Sequence, residues 1–227
     1  MFSASPKLLL SSVIPEELAS RLQEEIIYGR LAGSTRLTEE EVAQHYGVSR
    51  SPVREALRLL ERDGLVLREA RKGIWVTPMS VKDFDEVYSC RVALEGVAAE
   101  QAARSTDAAR KAELPKTLEK MQEARERGDV EEFFTQDVHG SDIIYDLAGN
   151  LTLNRLLVGL NKQALRYRFF AYKRDPQIVA LSFQGTGEIF DAIVVGKAKR
   201  AKALTEALIG DIWQSMRATI ADAFGEG

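Results

Sequence analysis

The segment at residues 47–60, GVSRSPVREALRLL, limits what this 227-residue chain can fold into more than any other stretch. Gly47 supplies a turn, and the helix after it carries Ser49, Arg50, Ser51 and Arg54 in its first two turns. Val53, Ala56, Leu57 and Leu60 recur on another side at the three- and four-residue spacing of a buried helix face. Such a helix is held by one face and leads with guanidinium and hydroxyl donors. A recognition helix meets phosphates and base edges in a DNA major groove in this way.

The neighbouring residues supply a frame for it. A helix is expected from about residue 16 to 28, opened by Pro15, with Leu18, Leu22, Ile26 and Ile27 inward and Gly29 and Gly33 ending it. Thr38-Glu39-Glu40-Glu41 reads as a capping box, in which Thr38 caps a short helix and Glu41 reaches back. Gly64 stops the recognition helix. Residues 65–67 and 74–76 read as two short strands joined by a cationic tip at residues 68–73. Three helices followed by a hairpin make a winged helix-turn-helix that ends near Pro78. Residues 1–13 read as a loose tail.

The formal net charge is −3, so bulk charge does not advertise nucleic acid. Residues 50–72 nevertheless hold seven cations against four anions, a local excess that steers toward phosphate. A solvated helix face would have the same composition, so charge alone leaves both readings open.

From Ser80 onward the pattern changes to long helices without strands. Six are expected, at about 80–104, 107–127, 129–148, 151–174, 176–195 and 197–224, each with apolar residues at helical spacing. The fold class is therefore mainly α, with a winged helix-turn-helix over residues 14–78 and an all-α bundle over residues 79–227. Cys90 is the only cysteine, which rules out an internal disulfide and fits a reducing compartment. Residues 8–10 are too short for a signal-peptide core, and no apolar stretch approaches the roughly 20 residues of a membrane span. A cytoplasmic protein with no membrane partner is expected.

The stretch RLTEEEVAQHYGVSRSPVREALRLLERDGLV, followed by RKGIWV, resembles the DNA-binding domain of GntR-type bacterial transcription regulators. Arg91-Val92-Ala93-Leu94-Glu95, then Asp137, Ala148-Gly149-Asn150 and Glu188-Ile189-Phe190-Asp191-Ala192-Ile193, look like the all-helical FCD-type effector domain of the FadR-like subgroup. The six helices suggest its shorter, VanR-like variant. The resemblance spans roughly residues 14–220. It implies a homodimer, most often a repressor, that binds palindromic operator DNA and responds to a small metabolite, often a carboxylate. The DNA contacts implied are Thr38, Ser49, Arg50, Ser51 and Arg54, with Arg71, Lys72 and Gly73 at the wing tip. The family frequently has a basic residue where Glu40 stands; a carboxylate there repels phosphate, so that contact is not carried over.

Helical phase, at about 100° per residue, points to the sensing residues. Arg91 falls among Phe84, Val87, Tyr88 and Ala98, and a guanidinium in an apolar stripe needs a partner. Glu95, four residues later, is one candidate and a ligand carboxylate is the other. Asp137 and Ser141 align with Phe134, Ile144 and Ala148, whereas His139 falls nearly opposite. On the next helix Asn154, Asn161, Arg168 and Tyr172 form a polar stripe between two apolar edges, as a pocket wall would. One edge is Leu153, Leu157, Leu160 and Ala164; the other is Leu151, Val158, Leu165 and Phe169. Arg155, Lys162, Arg166 and Lys173 are expected to point to solvent.

Many members of the family hold a divalent metal with one aspartate and three histidines. The resemblance places those positions at Asp137, Ser141, Thr186 and Leu208, none of the last three an imidazole. The chain has only His45 and His139, so no metal and no cofactor is expected. Arg91 and Arg168 then become the anchors for a carboxylate, and Thr186, on the inner stripe of its helix, is a further effector-binding candidate. No Cys–His pair and no glycine-rich phosphate loop accompanies these residues, which argues against an enzyme. A constitutive or architectural DNA binder with a purely structural bundle is the alternative reading.

Overall fold

A computed structural model of the protein describes residues 14–225. The tail expected over residues 1–13 lies outside the described residues. The chain divides into two compact units between Met79 and Ser80.

The first unit contains α1 (Ile14–Ile27), β1 (Arg36–Leu37), α2 (Glu39–Tyr46), α3 (Arg50–Arg62), β2 (Val66–Glu69) and β3 (Gly73–Val76). The apolar faces of the three helices close one core, in which Leu18, Leu22, Val42, Val53, Leu57 and Leu60 are all fully or almost fully buried. The strands form an antiparallel sheet in the order β1-β3-β2, with Arg36 opposite Trp75 and Val66 opposite Val76. Strand β1 is an addition to the sequence reading. Two residues are too few to show an alternation, and the strand exists only because β3 offers it an edge.

The second unit is all-helical: α4 (Val81–Arg104), α5 (Ala108–Lys111), α6 (Glu113–Glu126), α7 (Val130–Ala148), α8 (Leu151–Tyr172), α9 (Pro176–Val194) and α10 (Ala198–Phe224). Side chains at the N-caps set several starts: Ser80 accepts from the Asp83 amide, Asp129 from Glu132, Asn150 from Leu153 and Asp175 from Gln177. The single helix expected over residues 107–127 is broken at Ala112. Pro115 has no amide hydrogen to give the Lys111 carbonyl, so the ladder of α5 stops there and α6 starts afresh. Helix α4 is central, packed against α7, α8, α9 and α10.

Helix α8 departs from the sequence reading at both ends. Leu151 and Val158, assigned to an apolar edge of the pocket wall, are exposed, at 79% and 41%. Arg166, assigned to solvent, is only 4% exposed. The C-terminal half of α8 runs through the bundle with residues 164–169 all buried, so no side of it faces water. Burial pulls the Arg166 pKa down, opposed by Tyr167 and Asp83. Arg155 and Lys173 are exposed, and Lys162 is half-buried.

Candidate functional site

The first site is the leading end of α3. Ser49 stands at its N-cap in extended conformation but makes no side-chain capping bond, so its hydroxyl is not spent on the helix. Ser49, Arg50, Ser51 and Arg54 are all exposed. Arg54 grips Glu39 with two hydrogen bonds, Nε to Oε1 at 2.9 Å and Nη2 to Oε2 at 2.8 Å. Arg50 Nη2 lies 3.0 Å from Glu40 Oε2. Glu61, further along α3, pairs with Arg68 at 3.2 Å. Two consecutive carboxylates at the start of α2 therefore hold the two leading arginines of α3. Hydrogen bonding from Arg54 keeps the Glu39 carboxyl below its ordinary pKa.

Thr38 is half-buried and its hydroxyl is occupied twice. It accepts from the Glu41 amide at 3.1 Å and donates to the Glu41 carboxylate at 2.7 Å. The expected reciprocation thus runs through the hydroxyl. At the wing tip, Arg71 adopts a left-handed conformation with φ 66°, and Gly73 has φ 114°. Lys72 pairs with Glu69 at 2.9 Å. A Cβ at Gly73 would lie 3.4 Å from Arg36 Nε, whose guanidinium covers the Trp75 ring.

The second site is a cavity of about 60 Å³ within the helical unit. Helix α4 contributes Tyr88, Arg91 and Glu95; α7 contributes Asp137, Ser141 and Ile144; α8 contributes Arg168 and Tyr172. Helix α9 adds Ser182, Thr186, Ile189 and Phe190, and α10 adds Thr205, Leu208, Ile209 and Ile212. Six of the eight sequence candidates lie here. Asn161 is buried and Asn154 half-buried, but neither lines the cavity. The stripe from residue 154 to 172 is about 27 Å long at 1.5 Å per residue, longer than a chamber of this size.

The two guanidiniums differ in their surroundings. Arg91 Nε donates to Glu95 Oε1 at 2.6 Å, and its guanidinium lies 4.8 Å from the centre of the Tyr88 ring. Burial opposes the Arg91 charge, but Glu95 together with Tyr88 and Tyr145 more than offsets it and the pKa is raised. Arg168 has Asp137 Oδ2 at 3.6 Å from Nε, but Nε and Nη2 are buried with no hydrogen-bond partner among the described residues. Asp137 is turned toward Tyr172, whose hydroxyl donates to Oδ2 at 2.7 Å. Ser182 lies 2.7 Å from the same phenol. With the phenol's one proton given to the carboxylate, Ser182 must donate in turn. Burial and then Asp137 push the Tyr172 pKa well above its usual value, so the phenol keeps its proton.

These donors do not suit a resident divalent metal. Position 208 is a leucine, positions 141 and 186 are neutral hydroxyls, and the single carboxylate already faces a guanidinium and a phenol. No group of three histidine, cysteine, aspartate or glutamate side chains able to hold a metal occurs among the described residues. His139 points outward, exposed on α7.

Sequence reasoning missed Glu39, Ser182 and Thr205. Ser182 was within reach, being one helical turn before Thr186 on the same face of α9. Thr205 stands similarly before Leu208 on α10. Glu39 was hidden because its partner is fifteen residues away on another helix.

A winged helix-turn-helix followed by a helical unit with a polar chamber defines a class of DNA-binding proteins with a separate sensing domain. Residues 15–76 match the family model for bacterial regulatory proteins of the gntR family, and residues 86–211 match the FCD domain. The HTH-type transcriptional regulator YdhC of Bacillus subtilis strain 168 is 33% identical over 157 residues, 69% of this chain and 70% of that protein. A gluconate operon transcriptional repressor of Bacillus licheniformis is 34% identical over 121 residues, 53% of this chain and 49% of that one. The solved structure of McbR/YncC from E. coli superposes with a TM-score of 0.78 at 21% identity, over 95% of this chain and 99% of the other. The chain belongs to the GntR family of transcription regulators, in the branch that carries an FCD domain. Its relatives are transcription regulators rather than enzymes. Among the described residues no helix is long and apolar enough to cross a membrane.

Proposed function

We propose that this protein is a homodimeric repressor that holds palindromic operator DNA and changes its grip when a small carboxylate enters the helical chamber. The observation that carries this reading is Arg168: a guanidinium 4% exposed, lining a cavity, with two donors unused. A buried donor left without a partner costs free energy, and an incoming carboxylate removes that cost. Arg91, Thr186 and Ser141 stand around the same space. A ligand acts on DNA only by its differential affinity for the arrangements of the dimer. Two recognition helices reading successive major grooves must lie about 34 Å apart, so a small change in subunit arrangement alters operator affinity.

On the DNA side the contacts would come from Ser49, Arg50, Ser51 and Arg54, supported by Thr38 and by Arg71, Lys72 and Gly73 on the wing. Selection of bound duplexes from a random library by the purified protein tests this half. An enriched palindrome, bound two chains to one duplex by native mass spectrometry, is expected. Operator affinity is then measured across a panel of small acids. Absence of any enriched sequence removes the reading. An operator whose affinity no small molecule changes favours the constitutive binder.

A further inference from the structure

Resting on the reading of the helical chamber as a ligand site, the geometry points to a narrower class of occupant. We propose that the chamber takes a short aliphatic monocarboxylate, held by the Nε–Nη2 edge of Arg168 without any metal ion.

The charge pattern limits the ligand to one carboxylate. Of the two guanidiniums, Arg91 is matched by Glu95 at 2.6 Å. Only Arg168 has two adjacent buried donors unused, and those donors form one planar fork, which fits one carboxylate. Asp137 does not fill the fork, because its Oδ2 is held by Tyr172 at 2.7 Å and stays 3.6 Å from Arg168 Nε. A second carboxylate on the ligand would find no second free donor fork in the cavity, and it would add its charge to Asp137 and Glu95, which already balance the two guanidiniums.

The hydroxyls limit it further. Ser141 donates to the Asp137 carbonyl at 3.2 Å and Thr205 to the Ala201 carbonyl at 2.8 Å, so both are spent on their own helices. Ser182 is spent on Tyr172. Tyr88 donates to Met216 Sδ at 3.4 Å. Among the lining hydroxyls that leaves Thr186 with none of these bonds, enough for one oxygen of the same carboxylate. The remaining wall is Ile144, Ile189, Phe190, Leu208, Ile209 and Ile212. A polyhydroxylated acid would leave its hydroxyls unmatched against these side chains, at the cost of any buried unpaired polar group. A hydrocarbon tail suits them. With about 10–15 Å³ per water-sized group, a cavity of about 60 Å³ holds roughly four to six such groups. That is the size range of propionate and butyrate.

Calorimetry and thermal shift on the full chain in EDTA, without DNA, test this directly. Propionate, butyrate and isobutyrate are compared with succinate and gluconate. The aliphatic acids should bind and raise the melting temperature, and succinate and gluconate should bind at least about tenfold more weakly, as one buried polar group left unmatched would give. Arg168→Gln, checked for folding by circular dichroism, should lower butyrate affinity about tenfold or more. If that variant does not fold, two gentler ones decide. Thr186→Val should weaken every acid of the series, and Ile209→Ala should shift the optimum to a longer chain. Tighter binding of succinate or gluconate overturns the proposal. So does loss of binding in EDTA, unchanged affinity in folded Arg168→Gln, or no binding by any acid of the series. Binding of butyrate with no effect on operator affinity would instead overturn the regulatory reading and leave this one standing.

Discussion

Arg54 on α3 and Glu39 on α2 are joined by two parallel hydrogen bonds, at 2.9 and 2.8 Å, across fifteen residues of sequence. The pair is exposed, so its contribution to stability is small. Its consequence is directional: the guanidinium is held in one orientation, as a bidentate contact to a base edge would require. Glu39→Gln weakens the clamp and leaves Arg54 free to follow any phosphate. Discrimination between the selected operator and a random duplex should fall about tenfold, within the range of one bidentate base contact. Fluorescence anisotropy on both duplexes measures it, and an unchanged ratio would show that Arg54 only anchors the backbone.

Glu40 acts differently from its neighbour. Its carboxylate lies 3.0 Å from Arg50 and is itself well exposed, so a phosphate arriving at Arg50 would have to displace it and also tolerate its charge. Glu40→Gln should tighten binding to a random-sequence duplex by about threefold to tenfold and steepen the dependence of log K on log salt by about 0.9. Titrations at three salt concentrations give both quantities. Weaker or unaltered binding would mean that Arg50 does not reach phosphate.

The elements that sequence made readable were those with a local cause. Helix α3 buries Val53, Ala56, Leu57 and Leu60 as its period demands, and Asp137 faces inward because Phe134 does. Phase alone failed on α8. It assigned Arg166 to solvent and Val158 to an apolar edge of the pocket wall, yet helix phase says nothing of how many neighbours surround a helix. One half of α8 is enclosed on every side, so Arg166 is buried whatever its phase, while Leu151 and Val158 in the other half are exposed. The chamber was half visible for a similar reason. Arg91, Asp137, Arg168 and Tyr172 were found as polar residues on inner faces. Which of the two arginines keeps free donors depends on distances between helices, which no periodicity encodes.

The Ser182–Tyr172–Asp137 chain makes a prediction about stability. Tyr172 is 1% exposed and bonds to both partners at 2.7 Å. Tyr172→Phe keeps the ring contacts with Phe133 and Phe134 but leaves Asp137 and Ser182 each short of a partner. Unpaired buried groups of this kind cost about 1–3 kcal/mol. The urea midpoint should fall accordingly with the slope unchanged. A variant as stable as the parent would mean that water or Arg168 replaces the phenol.

The pH dependence of ligand binding separates an arginine-held carboxylate from an imidazole- or metal-held one. The ionisable groups facing the cavity are Tyr88, Arg91 and Glu95 from α4, Asp137 from α7, and Arg168 and Tyr172 from α8. Burial raises the pKa of Tyr88, and burial with Asp137 raises that of Tyr172, so both phenols stay neutral. Burial opposes the Arg168 cation, but Asp137 and Tyr172 more than offset it and the pKa is raised, so the guanidinium stays charged. Each shift moves its group farther from neutrality on the alkaline side. Butyrate affinity should therefore be flat, within about twofold, from about pH 6 to pH 9, above the carboxylate range and below these phenols. A chamber built on histidines would lose or gain affinity through about pH 6.5. Neither histidine of this chain lines the chamber. Isothermal titrations across that interval measure the profile. A tenfold change centred near pH 6.5 would mean that a group outside the chamber, titrating in that range, controls the affinity of the Arg168 fork.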